Sequence, residues 1–143
     1  MRRAASTVIV LRAYSPPTML WAPFVLRDSA PPRWRVLTQS GERSVVIRSG
    51  QRSIDIVQKA EPLFPSGPFD LLRVDNFSPA DSVDLPGMRA TVVEVNEEGR
   101  PMRVHFDFDR DLEDPTFDWI VEGIGGFRRF KMPPIGVGVH LAP

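Results

Sequence analysis

The chain of 143 residues contains no cysteine. Disulfides, thiolate zinc sites, iron–sulfur clusters and cysteine nucleophiles are thereby excluded, and the composition suits a reducing compartment. Lysine is scarce as well: sixteen of the eighteen basic residues are arginine, and histidine occurs twice. No apolar run approaches the roughly 20 residues that a helix needs to span a bilayer. The opening "MRRAASTVIVLRAYSPP" has the basic start and short apolar run of a secretory signal, but Arg12 breaks the run and no clear small-residue cleavage pattern follows. The expectation is a cytoplasmic protein without a membrane span.

Proline, by contrast, is abundant. Fifteen prolines cannot sit inside long helices or central strands, because each lacks a backbone donor and fixes φ. The chain must be short elements separated by turns. Its hydrophobic share of 42% and charged share of 25% are ordinary for a folded domain.

Period-two alternation dominates, as half-buried strands require. It predicts strands over 7–14, 33–39, 43–49, 52–58, 69–77, 90–95, 102–109, 117–122, 127–132 and 135–141. In the last of these, Ile135, Val137, Val139 and Leu141 are expected to share one side. "SPADSVDLPG" predicts one helical turn, with Ser78 as N-cap and Pro79 at the first position. The fold class expected is all-β, a small antiparallel barrel or sandwich with many Pro/Gly turns and at most short helical turns. Residues 1–143 read as one β-rich domain, with possible sub-lobes 1–63 and 69–143 joined by a Pro-rich segment.

Zero net charge hides an asymmetry: residues 1–70 carry ten basic against five acidic side chains, residues 71–143 eight against thirteen. The split implies two functional faces, or two lobes attracted across an internal interface.

The chemically richest stretch is "RVHFDFDRDLEDP" (103–115). On a strand, Arg103, His105, Asp107 and Asp109 share the face opposite Val104, Phe106 and Phe108. An imidazole beside carboxylates at that spacing could share a divalent ion, or act as a general base oriented by an acid. A third ligand would have to come from a neighbouring strand. The aspartate spacing is that of the opening of an EF-hand loop, but Leu112 occupies the position that needs glycine, and Asp118 that of the bidentate glutamate. The reading adopted is a solvated strand face running into an acidic turn.

Two further stretches carry alternatives. In "RWRVLTQSGERSVVIRSGQR" (33–52), Arg33, Arg35, Arg43, Arg48 and Arg52 surround Trp34, the ingredients of a single-stranded nucleic-acid groove. One aromatic and a neutral overall charge argue against that groove. In "PPTMLWAPFVL" (16–26), Met19, Leu20, Trp21 and Phe24 are candidate partner-binding residues, since methionine and aromatics are enriched at interface cores. Gly136, Gly138 and His140 share one side of the last strand, where missing side chains admit a close neighbour or let the strand bend.

"GIGG" and "GVG" lack the spacing of a dinucleotide-binding loop, and no Walker lysine motif or nucleophile elbow occurs. No cofactor and no catalytic residue is therefore assigned. The function expected is a non-catalytic binding or assembly module, a component of a larger protein complex with a protein partner or self-association. A single-stranded nucleic-acid-binding barrel is the first alternative. A metal-dependent hydrolase using His105, Asp107 and Asp109 is the second.

Overall fold

A computed structural model describes residues 7–12, 34–38, 44–58, 78–123 and 126–141. Ten strands run in order: β1 (Thr7–Val10), β2 (Trp34–Val36), β3 (Ser44–Arg48), β4 (Ser53–Gln58), β5 (Ser82–Leu85), β6 (Met88–Val95), β7 (Pro101–Phe108), β8 (Phe117–Gly123), β9 (Gly126–Arg129) and β10 (Gly138–Leu141). Among the described residues there is no helix, and thus none long and apolar enough to cross a membrane.

The strands form a six-stranded sheet, β10-β3-β4-β7-β6-β5, and a four-stranded sheet, β2-β1-β8-β9. The arrangement is sandwich-like and not a closed barrel: both sheets have open ends in their strand order. Nor is it wholly antiparallel. β1 runs parallel to both β2 and β8, which suits its unbroken "TVIV", buried on both faces.

Alternation sets which side chains meet between the sheets. Ile54, Ile56, Val104, Phe106 and Phe108 from the large sheet join Ile9, Phe117, Trp119 and Val121 from the small one in a single core. Phe108 packs edge-on against Phe117 and Trp119, with centroids 5.5 and 5.3 Å away, the geometry aromatic quadrupoles prefer. Because β1 pairs with β8 and β4 with β7, strands from the two halves of the sequence lie side by side in both sheets.

Two expectations about local structure need correction. The helical turn at Ser78 is a tight turn: Asp81 accepts from the Ser78 amide at 2.8 Å, Ala80 takes φ 74°, and strand β5 follows. Its hairpin closes on Pro86 and Gly87, whose φ of 80° is the left-handed value that a proline-led turn asks of its next residue. At the chain's end, Ile135 and Val137 do not share the side that Leu141 buries; they are 58% and 43% exposed. Gly136 at φ 85° turns the backbone there, so inward alternation starts only after it. No atom would lie within 4 Å of a Cβ at Gly136, so conformational strain alone resists substitution. Gly136→Ala should lower unfolding free energy by about 1–2 kcal/mol, read as a lower urea midpoint.

Candidate functional site

The outer face of the large sheet gathers the charged side chains that alternation excludes from the core. In β4, inward Ile54 and Ile56 leave Asp55 on the outer side; in β7, inward Val104 and Phe106 leave Arg103, His105 and Asp107. The antiparallel register sets Asp55 directly opposite His105, with Val57 opposite Arg103 and Ser53 opposite Asp107. Asp55 is buried, only 6% exposed, and a buried carboxylate needs strong partners. It has them. Arg103 reaches its Oδ2 from Nε at 2.8 Å and Nη2 at 2.7 Å, and His105 Nδ1 contacts Oδ1. The other imidazole nitrogen, Nε2, lies 3.1 Å from Asp107 Oδ1.

An imidazole held between two carboxylates satisfies both only as the doubly protonated cation. Burial works against that charge, but the hydrogen bond to Asp55, the charges of Asp107 and Asp55 and the hydrogen bond to Asp107 outweigh it and raise the His105 pKa above 6.5. A general base needs an unoccupied ring nitrogen near the working pH, and this arrangement supplies neither. Ser53, the hydroxyl opposite Asp107, is bonded to Ser49 Oγ at 2.9 Å. The cluster is built to neutralise Asp55.

His105 and Asp107 thus share a face as the alternation predicts, but Asp109 does not join them. β7 ends at Phe108, and the Asp109 amide bonds Gly87 O at 3.0 Å while its carboxylate accepts from Arg110 at 3.1 Å. Among the described residues, no group of three or more His, Asp or Glu is placed to hold a metal ion. The acidic run works as a series of staples. Asp111 accepts from Gln51 and Arg52 at 2.9 and 3.1 Å, Glu113 from Arg48 at 2.8 Å, and Asp114 from the Thr116 amide at 2.9 Å. Leu112, at the position where an EF-hand needs glycine, is buried in the core.

The staples at Asp111 and Glu113 join the basic part of the sequence to the acidic part. They also engage two arginines of the 33–52 stretch: Arg52 meets Asp111, and buried Arg48 adds the carbonyls of Gly50 and Pro133 to its Glu113 pair. Arg35 is half-buried, and Trp34 belongs to β2; Arg33 and Arg43 lie outside the described residues. So do Met19, Leu20, Trp21 and Phe24.

Asp55 is the member of the cluster that sequence reasoning missed. Its outward direction is legible in the Ile54–Ile56 alternation, but the pairing of β4 with β7 is not. Gly138 also finds its reason: a Cβ there would meet Val45 at 3.3 Å and Ile47 at 3.4 Å, so the glycine makes room for these neighbours. A cleft of about 300 Å³ opens over Leu112, Phe117, Trp119 and Met132. Its polar groups are already engaged, Trp119 Nε1 donating to Leu112 O at 2.8 Å and the rim residue Glu113 pairing with Arg48.

Fold and site together define a two-sheet β-sandwich whose outer face carries a neutralised buried carboxylate. No protein-family model, curated protein or solved structure matches the chain.

Proposed function

We propose that this chain is a non-catalytic binding module, a component of a protein assembly, which engages its partner by strand addition at β10. The observation that carries this reading is the character of that edge. β10 ends the strand order of the large sheet and, among the described residues, pairs only with β3. An edge strand presents a row of unpaired backbone donors and acceptors, which proteins blunt with charge, with proline or by keeping the strand short; Pro133 and Pro134 precede β10 but lie outside it. Residues 132–141, "MPPIGVGVHL", contain no Lys, Arg, Asp or Glu. Instead Ile135 and Val137 stand exposed beside the edge. Such a strand suits main-chain pairing with an extended partner segment whose apolar side chains continue the row.

The other readings draw less support. His105 has both ring nitrogens against carboxylates, which suits a structural cation more than a hydrolytic base. Arg48 is buried and engaged within the chain and is poorly available to phosphate, and Arg52 is paired with Asp111. The test is native mass measurement of the protein purified from its own host, as wild type and as Val137→Lys. A species heavier than the 16.1 kDa protomer that reverts to the protomer in Val137→Lys is the expected result. A wild-type mass of the bare protomer overturns the proposal, and so does a heavier species indifferent to the substitution.

A further inference from the structure

We infer that the partner at β10 is a second copy of this chain, the two edges pairing antiparallel across a two-fold axis; this rests on the strand-addition reading above. Directly opposite residues of an antiparallel pair lie on the same face. A β10–β10′ pair therefore sets the Val139 and Leu141 row of one copy against the same row of the other. The opposite side carries only Gly138 and the exposed His140, so little bulk intrudes there. The strand is complementary to itself, as an isologous contact requires.

Charge favours the same occupant. With eighteen basic and eighteen acidic residues, the chain has no net charge to hold copies apart. The edge itself carries no charge that would select a partner of opposite sign. The other described edges differ. β9 presents Arg128 and Arg129, β5 presents Asp84, and β2 presents Arg35. Two-fold pairing of any of these would bring like charges together, at a cost. β10 alone among them pairs with itself without that repulsion. The dimer would fuse two six-stranded sheets into a continuous sheet of twelve strands.

Sedimentation equilibrium of the purified full chain tests this without any other protein present. A concentration-dependent shift from 16.1 kDa toward twice that mass is expected, with Val137→Lys and Ile135→Lys each weakening association at least about tenfold, because lysine is a common guard of natural strand edges. Both positions are exposed, so thermal midpoints unchanged at concentrations where wild type is monomeric will separate lost pairing from lost folding. Because the chain has no cysteine, His140→Cys provides one spin-label site on the exposed side of β10. Label-to-label distances within about 25 Å are expected for adjacent strands. A strict monomer at high concentration, or a dimer indifferent to both lysines, overturns the inference. If the purified chain is monomeric while host-purified protein carries a different polypeptide that Val137→Lys releases, the two-copy inference fails and strand addition stands. If host-purified protein is also the bare protomer, both fail.

Discussion

Arg12→Ala should lower the unfolding free energy by about 3–5 kcal/mol, a large share of the roughly 5–15 kcal/mol that holds a domain together. Arg12 is fully buried, at 0% exposure, immediately after β1. Its Nη1 donates to Leu141 O at 2.9 Å and its Nη2 to Glu122 O at 3.0 Å. One guanidinium thus ties the end of β10 in the large sheet to the end of β8 in the small one. The backbone around it is closely bonded: the Glu122 amide reaches Arg12 O at 3.0 Å, and Thr38 Oγ1 reaches Leu11 O at 2.7 Å. Truncation leaves two buried carbonyls without their donors, each costing about 1–3 kcal/mol, and opens a cavity between the sheets. Arg12→Met should recover part of the loss by refilling the space of the stem, but not the donors. Urea unfolding followed by tryptophan fluorescence measures both. Equal midpoints for wild type and Arg12→Ala would show that the sheets do not depend on this tie.

The same residue illustrates what the sequence hides. Within the opening strand Arg12 reads as a break in an apolar run, a reason to reject a signal peptide. Nothing in the local pattern says that its charge is spent on carbonyls 110 and 129 positions away. Alternation is local and legible: it placed Ile54 and Ile56 inward, Phe106 and Phe108 inward, and His105 with Asp107 outward. Pairing is non-local. Asp55 meets His105 only because β4 lies beside β7, with β5 and β6 intervening in sequence, and no single-strand pattern encodes that neighbour. Strand β5 escaped for a different reason. "SVDL" is short and half polar, and the preceding Ser78-Pro79 carries a helix-start signal that the turn chemistry of Asp81 overrides. The error at Ile135 and Val137 has a backbone cause, since one glycine in the left-handed region ends the register that alternation assumed. The parallel pairing of β1 left a trace in its uninterrupted apolar composition, but not the identity of its neighbours.

Asp55→Ala should cost about 2–4 kcal/mol, because removing one member of a buried ion pair strands the others, here discounted for the partial exposure of Arg103 and His105. The signature that distinguishes this network from simple packing is its dependence on pH. His105 binds its proton more tightly in the folded chain than in the unfolded one, its pKa lying above 6.5. Folding then takes up protons, and stability rises as pH falls. The contribution is fully present below about pH 6.5, the unfolded value, and is lost as pH rises through the higher folded value. Against the cost of burial, the groups that set it are Asp55 on the neighbouring strand and Asp107 on its own; Arg103 and, opposite on β6, Thr91 also face the ring's surroundings. Above the folded value the neutral ring can donate to only one of its two carboxylates, and the other loses its partner. Wild-type urea midpoints should therefore fall over the interval above about pH 6.5. His105→Gln should flatten that profile, chiefly by lowering the acidic limb, and Asp55→Ala should reduce its slope while lowering it throughout. A wild-type profile that rises across this interval, or one that His105→Gln leaves unchanged, would mean that the imidazole is not the cation between Asp55 and Asp107.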